Sequence, residues 1–163
     1  MSFKTITMAA VAAFALAAPA FAEGMIVITD PYARVSAKMS KSGAAFMQIE
    51  NHGDEDDQLI DARSDVSKKV ELHTHKENAD GVMQMLHIPE GFTIPAHGKH
   101  MLMRGGDHVM FMGLNETLEH GDVVNVVLVF EKAGEVPVEI PVDLERKPMH
   151  GGGHMNHGNM KKN

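Results

Sequence analysis

The stretch KVELHTHKENADGVMQMLHI, Lys69 to Ile88, decides how the chain is read. Two alternating runs flank the turn signal Asn78-Ala79-Asp80-Gly81, the pattern of a β-hairpin. With the turn centred on Ala79, antiparallel pairing sets His73 opposite Met85 and His75 opposite Met83. Directly opposed residues have Cβ atoms about 4.5–5.5 Å apart. Alternation sends His73, His75, Met83, Met85 and His87 to one face, and Val70, Leu72, Val82, Leu86 and Ile88 to the other. The second set is expected to be a core face. The first is a row of metal-ligating atoms on a face that need not be buried. A slip in register would move the pairs without changing the faces within each strand.

Similar short runs lie on either side: Met25 to Thr29, Ala44 to Glu50, Gln58 to Arg63, His100 to Arg104, His108 to Leu114, Val123 to Glu131 and Val136 to Val142. Gly, Pro, Asn and Asp separate them, and no long stretch has helical periodicity; Ser64 to Lys68 offers a single turn. Many short strands at this spacing predict an all-β antiparallel sandwich or barrel. Val123 to Phe130 is the most apolar run and is expected to be a central strand.

The 163 residues suit one domain. They include 14 Met and 11 His but no Cys and no Trp, so thioether and imidazole are abundant and thiolate is absent. That excludes disulfides, thiolate zinc and iron–sulfur sites, a Cys nucleophile and a blue-copper electron-transfer centre. The formal charge of −7 argues against nucleic-acid binding, which relies on clustered Lys and Arg. Nor is there a His-Glu-x-x-His pair, a nucleophile elbow or a Gly-rich phosphate loop, so no enzyme class is indicated.

Both ends differ from the middle. Residues 1–22 have a basic start at Lys4, a short apolar stretch and Ala20-Phe21-Ala22, which reads as a cleavable secretory signal peptide directing the chain to a bacterial periplasm. Its removal takes away only Lys4 among the charged side chains and moves the formal charge from −7 to −8. No later stretch is apolar enough to span a bilayer. Residues 23–147 form the expected domain, taken to be a monomer. Residues 148–163 hold Met149, His150, His154, Met155, His157 and Met160 among glycines and are read as a flexible tail that captures metal.

A second source of ligands is Gly105-Gly106-Asp107-His108-Val109-Met110-Phe111-Met112-Gly113-Leu114, where His108 and Met110 project to one side. Set beside the hairpin, it collects two imidazoles and two thioethers. Thioether selects Cu(I), imidazole suits copper and zinc, and zinc sites rarely use Met, so Cu(I) is the indicated ion. The tail's imidazoles suit Cu(II). Other residues have ordinary readings. Met47, Met101 and Met103 are expected to fill core space, His52 and His120 to lie at the surface, and His97 and His100 to mark a turn entering a strand.

The stretches Gly43 to Asn51, Val70 to His73, Gly81 to Met85 and Gly105 to Leu114 resemble the periplasmic copper chaperones of the PCu(A)C type over about Tyr32 to Leu144. The resemblance implies a cupredoxin-like Greek-key β-sandwich and puts the family's copper ligands on His73, Met85, His108 and Met110. His75 and Met83 fall nearby as accessory candidates, and His75 could replace or supplement His73. The interval between Met85 and His108 is one residue longer than the family pattern. The implied role is holding Cu(I) and delivering it to a copper-accepting domain such as the dinuclear copper centre of cytochrome c oxidase, or to another copper chaperone. Copper buffering without a dedicated acceptor is the alternative.

Overall fold

The computed structural model describes residues 25–37 and 39–147. Ten strands follow one another: β1 (Ile26–Val35), β2 (Ser42–Asn51), β3 (Asp57–Arg63), β4 (Ser67–Glu77), β5 (Met83–His87), β6 (Phe92–Ile94), β7 (Lys99–Leu102), β8 (His108–Leu114), β9 (Val123–Phe130) and β10 (Gly134–Pro141). They form two open antiparallel sheets. One has the order β1-β2-β8-β4-β5, with β7 continuing the ladder on β2 where β8 leaves off; the other is β10-β9-β3-β6. The fold is therefore a sandwich, and the barrel alternative is set aside because both sheets keep free edges.

All nine expected runs are strands. Strand β6 escaped the sequence reading because Phe92-Thr93-Ile94, between Gly91 and Pro95, is too short to show alternation. Strand β1 runs six residues beyond its expected end, through Pro31. A bulge between Thr29 and Tyr32, with Asp30 at φ 53°, takes up the interruption without ending the strand. Val123 to Phe130 is an interior strand, as its composition demanded.

The core lies between the sheets. Strands β8 and β2 contribute Val109, Phe111, Ala45, Met47 and Ile49; β9 contributes Val124, Val126, Leu128 and Phe130; Leu59, Leu72, Ile94 and Ile140 close it. Each comes from alternate positions of its strand, so the same alternation turns His108, Met110 and His73 away from this core. Met47 is core, as expected. Met103 is not: it is 46% exposed and lines a groove with Met101, Tyr32 and Arg146. The loop after β7 carries it past the end of the sandwich.

Candidate metal centre

The ligand-rich face is the outer face of the first sheet, where β8, β4 and β5 lie side by side. The β4–β5 register pairs His73 with His87, His75 with Met85 and Glu77 with Met83. This differs by two residues from the pairing expected for a turn centred on Ala79. The cause is Asn78, whose side-chain oxygen accepts from the backbone N–H groups of Asp80 and Val82 at 3.0 and 2.9 Å, centring the turn on Asp80. Gly81, at φ 77°, supplies the left-handed residue the turn needs. The shift is even, so the faces are unchanged.

The burial of that hairpin is not as expected. Strand β5 is an edge, exposed along its whole length, and Val82 and Leu86 are 56% and 39% exposed. Only Val70, Leu72 and Ile88 of the apolar set pack on the core.

Strand β8 enters from a tight turn in which Met103 N–H donates to Asp107 O at 2.8 Å and Gly106 N–H to Met103 O at 3.0 Å. Gly105 there has φ 84°. The turn places the Gly106 carbonyl against β4, where it accepts from the His75 backbone N–H at 3.3 Å and from His108 Nδ1 at 2.9 Å. A carbonyl can only accept, so His108 carries its proton on Nδ1 and Nε2 keeps its lone pair. His108 is 1% exposed, and burial pushes its pKa below the usual histidine value, so the ring is neutral at pH 7.

His73 pairs directly with His108 across the β4–β8 ladder, their ring centroids 6.0 Å apart. Its Nε2 lies 2.8 Å from Glu71 Oε2. The Lys69 ammonium contacts the other carboxylate oxygen, and Lys69 and His73 together pull the Glu71 pKa down to about 2. Glu71 is therefore ionised and accepts a hydrogen bond from His73 Nε2–H, which leaves the lone pair on Nδ1. That Nδ1 is buried without a hydrogen-bond partner, and so is His75 Nδ1. His75 stacks on His108, 5.0 Å between centroids.

An open cleft over this face is lined by His75, Met85, His108 and Met110 together with Ala44, Phe46, Arg34 and Arg104. His73 lies in the next row, diagonal to Met85. The structure thus brings Met85, His108 and Met110 together with one β4 imidazole in the cleft wall and a second beside it. Met83 sits farther out, opposite Glu77. Among the described residues no group of three or more His, Cys, Asp and Glu is placed to hold a metal ion, so a soft-metal site here must draw on methionine sulfur. The tail candidates Met149, His150, His154, Met155, His157 and Met160, and residues 1–22, lie outside the described residues.

The remaining histidines have other partners. His52 contacts Glu50 at 3.4 Å, His97 contacts Asp54 at 3.0 Å from a turn position at φ 50°, and His120 Nδ1 accepts from Leu144 N–H. His100 pairs with Asp107 at 2.9 Å and stacks on Phe92. Glu71 is the orienting contact of His73 that the sequence reading missed. Its signal was present, since a carboxylate two residues before His73 must share its face.

Residues 26–142 match the model of the family described as "Putative lipoprotein LpqE-like". A protein of Leifsonia xyli subsp. xyli (strain CTCB07) named "Putative lipoprotein Lxx21020" is 34% identical over 108 residues, 66% of this chain; the chain spans 64% of that protein's length. The structure titled "Copper-bound PCuAC domain from PmoF2" superposes with a TM-score of 0.60 at 25% identity, covering 74% of this chain and 93% of that one. The Cu(I) form of DR1885 from Deinococcus radiodurans superposes at 0.55 with 30% identity, covering 76% and 83%. Family match, two-sheet topology and superposition agree: the chain belongs to the LpqE-like family, and its described domain is a two-sheet sandwich of cupredoxin-like topology similar to PCuAC domains.

Proposed function

We propose that this protein is a copper chaperone of the bacterial cell envelope, holding Cu(I) through His73, Met85, His108 and Met110 and releasing it by ligand exchange. The observation that carries the reading is the preparation of two imidazoles beside two thioethers. His108 donates Nδ1–H to Gly106 O and His73 donates Nε2–H to Glu71, so each ring keeps one unprotonated nitrogen. Metal-bound histidines are oriented this way by the partner of the other nitrogen. Two imidazole nitrogens and two thioethers suit a soft monovalent ion, and the copper-bound and Cu(I)-bound relatives support that choice.

His75 lines the cleft and stacks on His108, but no carboxylate or carbonyl orients its ring nitrogens among the described residues. We assign it an accessory role with Met83. The open cleft lets an acceptor ligand approach while Met85, on an exposed edge strand, is displaced. The acceptor we favour is a periplasmic copper-accepting domain such as that of cytochrome c oxidase. The family's description associates its members with lipoproteins, yet these 163 residues contain no cysteine on which a thioether-linked lipid could be carried. Export through residues 1–22 remains our reading of location.

Competition with a chromogenic Cu(I) chelator under reducing conditions tests the site. One tight equivalent is expected, lost when Met85 and Met110 are both changed to Leu; weak binding equal in both proteins would overturn the reading. Truncation after Lys147 is expected to lower the number of Cu(II) equivalents while sparing Cu(I). Faster transfer to an apo oxidase copper domain than to a small chelator of equal affinity would separate a chaperone from a buffer.

A further inference from the structure

The cleft has two arginines in its lining, in an acidic protein. Arg34 on β1 and Arg104 after β7 both line it, and each donates from Nη1 to the same acceptor, the Arg146 carbonyl, at 3.3 and 3.4 Å. Neither guanidinium has a carboxylate within 4.0 Å among the described residues. Nearby carboxylates are engaged elsewhere: Asp30 by Arg146, Asp107 by His100 and Glu71 by Lys69 and His73. Arg146 also lies over the Tyr32 ring, 4.2 Å from its centroid, and fixes the carbonyl that holds the two arginines.

The far end of the same sheet carries carboxylates. Along β2, Ala44, the partner of Arg34, leads to Asn51, and the exposed Asp54, Glu55 and Asp56 follow, Asp54 in contact with His97 and Glu55 with Lys132. At about 3.4 Å per residue those ends are about 24 Å apart. The cleft end thus carries two guanidiniums without a carboxylate partner among the described residues, and the far end a run of exposed carboxylates. A partner approaching with a negative face is drawn to the cleft and repelled from the rest of a chain whose formal charge is −7.

We propose that Arg34 and Arg104 are the docking contacts for a protein partner that presents carboxylates around its own copper ligands. This rests on the copper-chaperone reading above. A membrane fits less well, because a patch this small would have to hold an acidic protein against an anionic surface. A guanidinium forks onto a carboxylate through two parallel hydrogen bonds, and two of them fix the direction as well as the sign of approach. Neither arginine offers a lone pair to copper, so the docking contacts and the ligands are separate groups.

The test uses the full chain loaded with Cu(I) and two synthetic acceptor peptides that share one Met/His copper-binding core, flanked by Asp in one and by Lys in the other. At low ionic strength transfer to the Asp-flanked peptide is expected to be faster, on the order of tenfold. The preference should vanish in the R34Q/R104Q double variant and in high salt, with copper stoichiometry and melting temperature unchanged. Equal rates to the two peptides, or a preference that survives in the double variant, would overturn the proposal. Should the protein hold no Cu(I), the chaperone reading fails, and anisotropy of labelled peptides on the apo protein takes over as the readout. Asp-peptide binding that depends on both arginines then sustains the docking surface, and its absence removes it. Arginine-dependent sedimentation with phosphatidylglycerol vesicles, without peptide preference, would assign the patch to lipid instead.

Discussion

At the scale of single residues, the proposed metal centre depends on which nitrogen of each imidazole is free. His73 and His108 each have one nitrogen engaged, by a carboxylate and by a carbonyl, and His75 has no such orienting partner. Removing His73 should therefore cost more Cu(I) affinity than removing His75, although His75 is nearer the opening. Glu71→Ala should weaken Cu(I) by about 10–100-fold, the usual effect of losing an orienting partner. Glu71→Gln should recover part of that loss, because its amide oxygen still accepts from His73 Nε2–H. Chelator competition on the four variants checks the order. A His75→Ala variant weaker than His73→Ala would transfer the ligand role to His75. The sequence alone left these two histidines open because both lie on the same strand face. The contact with Glu71 orients His73 and not His75.

At the scale of the element, the β4–β5 hairpin presents Met85 through a turn rather than through packing. Strand β5 has no buried residue, so its register depends on the ladder to β4 and on the Asn78 and Gly81 geometry. Replacing Gly81 by Ala meets no tight contact, the nearest atom being Glu77 Oε1 at 3.4 Å, so the cost is conformational: about 1–2 kcal/mol for a left-handed alanine. Because β5 lies outside the core, that cost should appear as local opening. Amide exchange in β5 should quicken and Cu(I) affinity fall, with little change in global melting temperature. A global loss of stability would show instead that the hairpin folds as part of the core. The same hairpin marks what was legible beforehand. Alternation in Val70 to His75 and Val82 to His87 fixed the faces, because side chains alternate whatever the pairing. The pairing was missed by two residues, since it depends on an Asn side chain closing on its own backbone. The exposure of Val82 and Leu86 was missed because edge position is a property of the sheet as a whole, which no local pattern encodes.

At the scale of the whole molecule, the two sheets divide the work. The six-stranded sheet carries the His and Met face, while the four-stranded sheet closes the core behind it. One polar residue is central to that second sheet. Asp57, 6% exposed at the start of β3, accepts from Lys132 N–H and Ala133 N–H at 2.9 Å each, and so ties β3 to the connection between β9 and β10. Asp57→Ala leaves those two donors without their acceptor and should cost about 2–3 kcal/mol, or roughly 10 °C in melting temperature. Its position predicts a second result. The hydrogen bonds around His73 and His108 lie entirely within the other sheet, so at temperatures where the variant is folded its Cu(I) affinity and stoichiometry should equal those of the parent. Thermal denaturation and chelator competition on the same preparation test both halves. A folded Asp57→Ala protein with weakened Cu(I) binding would show that the second sheet sets the ligand geometry through the shared core, and the division of labour would be lost.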